Sequence, residues 1–166
     1  MLTVHIQGRQ PTAPKNDLPN PYRTVEGWAK MPEGRTWGAT SSVDIDKDGT
    51  SIWVGERCGA NTCTGRNDPT ILKFDAQGNL VKAFGAGMFV YPHGVHVDRQ
   101  GNVFVAMPLG VQVFNRKGRF LGTIPLSKKI QNLAFAGPEK KTLYIVSQGS
   151  IWKVRTLTGG PVGRAK

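Results

Sequence analysis

The residues best equipped for chemistry fall in two phrases. Tyr91-Pro92-His93-Gly94 sets an imidazole beside a glycine, and Gly55-Glu56-Arg57-Cys58-Gly59 sets a carboxylate, a guanidinium and a thiol side by side. Neutral imidazole is a common zinc ligand, and a glycine beside it lets another backbone approach closely. His93 is therefore a candidate metal contact; the competing assignment is a hydrogen-bonding residue at the start of a strand. His96 lies three residues further on, a spacing that in a strand sends the two side chains to opposite faces. It is a poor co-ligand for His93 and reads as a polar strand residue. Arg57 can hold a carboxylate through two parallel hydrogen bonds or stabilise developing negative charge. It can equally pair with Glu56 or another acid at the base of its loop. Cys58 and Cys63 are too few for a structural zinc site, which takes four ligands. They form a local disulfide if the protein is exported, and are ordinary loop thiols if it is not.

The elements that must position these groups are short strands. Val95, Val97, Val103 and Val105 alternate with polar or small neighbours, the period of half-buried strands, and Asp98 to Asn102 supplies a hairpin turn. The pattern recurs as SVDIDKDGTSIWVGE from Ser42 and, more loosely, as NLAFAGPEKKTLYIVSQ from Asn132. A second hairpin follows each copy, beginning at Ile71, Val111 and Ile151, a constant spacing of 40 residues. A fixed period near forty with about four strands per period is the signature of β-propeller blades. The fold class expected is all-β: a partial propeller of about three four-stranded blades, covering 37–87, 91–126 and 130–156, in a single domain over 24–157. The third repeat lacks a clear fourth strand. The span Tyr22 to Met31 reads as a strand that could complete the last blade. Asp44, Asp46, Asp48 and Asp98 read as turn residues, because Asp bonds the backbone two residues on.

Composition sets outer limits. With 21 Gly, 11 Pro and no apolar run near the ~20 residues that cross a bilayer, the chain reads as soluble, turn-rich and without a membrane span. Residues 1–23 hold Pro11, Pro14, Pro19 and Pro21 and no periodicity, so a disordered or extended arm is expected there, with a loose basic tail over 158–166. The opening residues have no apolar core of signal-peptide length. The net charge of +11 is one-sided: residues 1–98 balance ten cations with ten acids, whereas 99–166 carry twelve cations and Glu139 alone. Such a half attracts polyanions, unless it is simply a solvated rim of turns.

Two resemblances enter at this point. RTWGATSSVDIDKDGTSIWVGERCGANTC and ILKFDAQGNLVKAFGAGMFVYPHGVHVDRQGNVFV, within about 20–105, resemble bacterial NHL-repeat propellers of the peptidylglycine amidating-lyase type. GNVFVAMPLGVQVFNRKGRFLGTIP and NLAFAGPEKKTLYIVSQGSIWKVR, within about 94–157, resemble the closing blades of the senescence marker protein and gluconolactonase family, six-bladed propellers with a channel metal. The lyase resemblance implies a metal ligand at His93, a structural calcium contact from the Val95 backbone oxygen and a catalytic, substrate-facing Arg57, with Glu56 beside it either touching substrate or supporting the residues that do. The gluconolactonase resemblance usually has an Asp where His93 stands, and makes Asn132 a channel-side amide near substrate. Neither ligand set is complete. No further His falls at blade spacing, and no Tyr matches the lyase base.

The function these resemblances imply is a metal-binding hydrolase or lyase. Its channel calcium or zinc would polarise a carbonyl or activate water on a small lactone or hydroxy-acid-like substrate. The alternative is a non-catalytic NHL-type module that binds a protein or polyanion. Three blades leave open edges, so a homodimer completing a six-bladed ring is expected. A periplasmic or secreted location is implied by resemblance.

Overall fold

The computed structural model describes residues 17–163 as eleven strands and no helix. β1 (Thr40–Ile45), β2 (Ile52–Glu56), β3 (Ile71–Phe74) and β4 (Leu80–Phe84) form one antiparallel sheet in sequence order. β5 (Val95–Val97), β6 (Val103–Met107), β7 (Gly110–Phe114) and β8 (Phe120–Pro125) form a second in the same way. β9 (Ile130–Ala136), β10 (Thr142–Ser147) and β11 (Ser150–Arg155) form a third of three strands. These are the three expected blades, with one difference: the last lacks an outer strand. Tyr22 to Met31 does not supply it. That stretch has no strand; Trp28, Ala29 and Met31 instead pack on Val54, Leu72 and Phe74 of the first blade. Trp28 donates its indole N–H to the Ala76 carbonyl, and Lys30 N–H bonds Gly78 O, which fixes the segment on the β3–β4 turn.

Alternation along the strands decides how blades stack. Trp53 and Ile71 of the first blade meet Val95, Val97, Val103, Val105 and Phe114 of the second in one buried cluster, with Phe84 packed against it. Phe104, Ala106 and Val111 of the second meet Leu133, Phe135, Leu143 and Ile145 of the third in another. Each large side chain so buried contributes about 1.5–3 kcal/mol. The inner strands need polar partners as well, because the outward edge of β5 has no strand to pair with. Asp44 answers that need: its carboxylate accepts the Val97 N–H at 2.8 Å, and His96 Nδ1 lies 3.2 Å away. Asp44 is therefore not the turn residue expected. It sits inside β1, where Val43 and Ile45 point to one face and Asp44 to the other, toward the second blade. Asp48 and Asp98 do cap turns, bonding Thr50 and Ser51 and Gln100 and Asn102 respectively. Asp46 at 8% exposure accepts from the Trp53 indole and Lys73.

The stretch after β11 departs from the loose tail expected from residue 158. Gly159 and Gly160 are buried, Arg99 N–H bonds Gly159 O, and Thr158 donates to Asp98. Arg99 also reaches the carbonyls of Glu139 and Gly160, so this return ties the second blade to the third. Of the Pro-rich arm, residues 1–16 lie outside the described residues, as do 164–166 of the tail, while 17–23 are exposed and without regular structure.

Candidate functional site

A single irregularity recurs in all three inner strands. Between Thr40 and Ser42 the register of β1 against β2 slips, leaving Ser41 as an extra residue. Between Ile130 and Asn132 that of β9 against β10 slips, leaving Gln131 extra. Ahead of β5, Ala106 takes two partners: it accepts from His93 N–H and donates to Gly94 O. Each is a β-bulge, two residues against one, and bulges re-aim side chains at strand ends. Val43, Val95 and Leu133 occupy equivalent register positions two residues later. Ser41, His93 and Gln131 are thus the same position in successive blades, at the same end of the channel.

Two hollows lie there. The first, about 340 Å³, is lined by Tyr91, His93, Pro108, Lys129, Gln131 and Gln148, among others. The second, about 400 Å³, is lined by Ser41, Ser42, Val43, Val95 and Asn132, with Thr40. Gly94 lies in the chain between His93, on the first, and Val95, on the second. A Cβ there would lie 2.8 Å from the Gln131 carbonyl oxygen and 2.9 Å from Asn132 Cα, so glycine is what lets the second and third blades close together.

Arg57 holds His93 in place from behind. Its Nε donates to the Pro92 carbonyl at 3.1 Å, Nη1 to Asn61 Oδ1 at 2.9 Å, and the guanidinium lies 3.6 Å from the Tyr91 ring centroid. The Ser41 hydroxyl donates to the same Pro92 carbonyl at 3.1 Å. Arg57 is 4% exposed and lines neither hollow. In this placement its hydrogen bond and ring contact brace the Tyr91–His93 segment. Arg57 does not pair with Glu56.

Glu56, expected as either a substrate contact or a residue behind one, is held inside the loop base. Its side chain is fully buried and its oxygens accept from Arg35, Cys58 N–H, Gly38 N–H and Gly59 N–H. Four donors converge on one carboxylate at the base of the long loop, with Arg35 Nη2 at 2.8 Å. Arg35 carried no signal in the sequence, because its partner lies 21 residues away. Cys58 and Cys63 form a disulfide across the same loop. Below it, Arg66 pairs with Asp68, whose carboxyl is lowered by the Arg66 hydrogen bond.

Val95 and Asn132 line the same hollow. The N–H groups of Val97 and Leu133 are turned away from their neighbouring strands, toward Asp44 and the Asn132 side chain respectively. By the alternation of an antiparallel strand, the Val95 carbonyl faces the same open edge as the Val97 N–H. His93 lies in the adjoining hollow. For a metal the donor set is short: among the described residues no three His, Cys, Asp or Glu gather in one place. Asn132 Oδ1 already accepts the Leu133 N–H at 2.9 Å. One imidazole and neutral oxygens do not make the three-ligand set of a catalytic zinc, nor the oxygen cage of calcium.

The profile of the SMP-30/gluconolactonase/LRE-like region matches residues 60–149. The chain belongs to this family. The match spans the disulfide loop's end, the His93 hairpin and most of the third blade, and takes in only residues 60–105 of the stretch that resembles amidating lyases. A gluconolactonase of Zymomonas mobilis is 34% identical over 79 residues, 46% of this chain and 22% of that protein. The structure of a gluconolactonase from Xanthomonas campestris superposes with a TM-score of 0.56 at 21% identity, covering 72% of this chain and 38% of that one. Regucalcin from Agrobacterium tumefaciens, described as a calcium-binding protein, gives 0.56 at 17% identity, over 76% of this chain and 50% of that one. At such identities the likeness of structures speaks to fold alone. This chain spans half or less of each of these relatives.

Proposed function

We propose that the chain contributes a gluconolactonase-like hydrolytic site that opens a small lactone at the channel mouth. The observation that carries this reading is the repeated bulge, which brings Ser41, His93 and Gln131 to one rim in a chain of this family. The 340 Å³ hollow suits a sugar-sized lactone, and Gln131 and Gln148 offer hydrogen bonds to its hydroxyls. Neutral His93 takes a proton from water as that water attacks the lactone carbonyl. The ring C–O bond then breaks, and the proton passes to the departing ring oxygen, leaving a hydroxy acid. Lys129, on the same hollow, supplies positive charge toward the oxyanion and then the product carboxylate. The metal implied by the family does not fit the donor set of one chain, and no step is assigned to it. The disulfide agrees with an oxidising compartment, outside the cytoplasm.

The test is hydrolysis of aldonolactones followed by acid release at constant pH, comparing the native chain with His93→Ala. General-base loss is expected to lower the rate about 10²–10⁴-fold. An unchanged rate removes His93 from the chemistry, and no lactonase activity in any assembled form removes the hydrolase reading.

A second reading, a polyanion-binding module, is favoured by one specific feature. A cleft of about 290 Å³ between the first two blades is lined by Lys47, Lys73, Lys82, Arg116 and Lys117. Its acid, Asp46, is already paired with Lys73 at 2.7 Å. Heparin binding whose affinity falls steeply with salt, and is lost in Lys47→Glu/Arg116→Glu, is the expected result; salt-insensitive or absent binding excludes it.

A further inference from the structure

The three blades place one aromatic at a shared position: Trp53, Phe104 and Tyr144 stand opposite Asp44, His96 and Ala134 on the inner strands. In the first two blades this ring is buried against the blade that follows, with 1% and 4% exposure. In the third, no further blade packs on it among the described residues, and Tyr144 is 42% exposed. Around it on the same sheet face lie Val146 and, across the strand pair, Ile151, at 38% and 74%. At the other end of the chain, the opposite sort of face is open. Val43 and Ile45 occupy the positions that in the next blade are Val95 and Val97. Those valines are buried against the preceding blade, at 4% and 0%, whereas Val43 and Ile45 are 63% and 42% exposed.

The chain therefore carries both halves of a blade junction, each unpaired, and the two junctions already inside it show how such halves fit. We infer that two copies close head to tail into one ring, the third blade of each packing its Tyr144 face on the Val43 face of the other. A second copy is the occupant because both complementary faces belong to the same chain and because their pairing closes. An association of this kind uses two identical junctions and leaves no face open. The widths agree as well. The outer part of the first blade's face is already covered by Trp28, Ala29 and Met31 on Leu72 and Phe74, where a blade with only three strands has nothing to offer. The consequence for the site is direct. In one chain the channel is walled on one side and the donor set is short; closure brings a second His93, Gln131 and Asn132 to the opposite wall. The interface does not depend on the hydrolase reading, and its test measures mass rather than activity.

Light scattering on a sizing column reads the assembly, with 18.1 kDa for one chain and twice that for the ring. The native chain is expected at twice 18.1 kDa at micromolar concentration. Tyr144→Asp and Val43→Asp each bury a carboxylate in both junctions, and each is expected to weaken dimerisation at least about 100-fold. Both residues are exposed in the single chain, so circular dichroism melting of the separated monomers should match that of the native chain at low concentration. Leu109→Asp, which removes an apolar side chain 77% exposed outside both faces, should leave the mass unchanged. Mixing the Tyr144→Asp and Val43→Asp chains restores one intact junction and should return part of the population to the dimer. A monomeric native chain overturns the inference. A Val43→Asp chain that still dimerises overturns it too, since a face-to-face pairing of third blades would not involve Val43.

Discussion

Replacing Glu56 with glutamine tests the buried hub beneath the His93 segment. The carboxylate is fully buried and accepts four hydrogen bonds, one of them from Arg35 at 2.8 Å with a side chain only 11% exposed. Glutamine keeps the shape and one carbonyl oxygen, but presents an NH2 group to two of the four donors. It also leaves the Arg35 guanidinium without its closest counter-charge, Asp68 being 3.9 Å away. Breaking one side of a buried ion pair costs about 3–5 kcal/mol, and each orphaned buried donor about 1–3 kcal/mol. These overlap, because the same oxygens serve both roles, and Asp68 retains part of the Arg35 interaction. A net loss of about 3 kcal/mol is expected. For a domain of this size that lowers Tm by roughly 10 °C. The assay is thermal unfolding by circular dichroism, with the Cys58–Cys63 bond kept oxidised in both proteins. Arg35→Met alone and in combination completes a double-mutant cycle, whose coupling should exceed about 1 kcal/mol. A Glu56→Gln protein that melts within 2 °C of the native one would refute the reasoning: the four bonds would then be geometry without energy.

Other outcomes follow from the same structure. Gly94→Ala places a methyl 2.8 Å from the Gln131 carbonyl, so it should loosen the junction of the second and third blades by about 1–3 kcal/mol in denaturant melts. Asp48 is subject to burial, which raises its pKa, but the N–H groups of Thr50 and Ser51 and the Lys73 ammonium outweigh it and hold the carboxyl well below its ordinary value. A depressed folded pKa means the contribution is present above about pH 4 and is lost as pH falls toward the folded value. Asp48→Asn should therefore flatten the loss of Tm below about pH 4, and an acid profile identical to that of the native chain would contradict it. Arg57→Ala removes the bond to the Pro92 carbonyl and the stack on Tyr91. If Arg57 only positions His93, the lactonase kcat should fall with little change in KM, and Arg57→Lys, which keeps charge without the planar stack, should fail to rescue it.

How much of this was legible without coordinates depended on whether partners were near in sequence. Blade number and boundaries follow from period and alternation, which are local: Val95, Val97, Val103 and Val105 declare their strands, and the constant spacing of Ile71, Val111 and Ile151 declares the repeat. The turn acids Asp48 and Asp98 were equally readable, since their bonds span two to four residues. Asp46, whose carboxylate takes the Trp53 indole and Lys73 rather than turn backbone, and above all Asp44 show the limit. The type of Asp44 suits a turn, but its carboxylate lies in β1 and accepts the N–H of Val97, 53 residues away.

The sequence by itself determined an all-β chain of three blades and the phrase that carries His93, because strand periodicity and turn chemistry are properties of neighbours. Only the tertiary structure decided what the polar groups of that phrase do. It buried Arg57 and Glu56 among hydrogen-bond partners, brought Arg35 to the loop base, and set Ser41, His93 and Gln131 at one rim. The physical reason is that a buried charge must find its partners wherever the fold places them, and a bulge aims a side chain by a register that no single strand specifies.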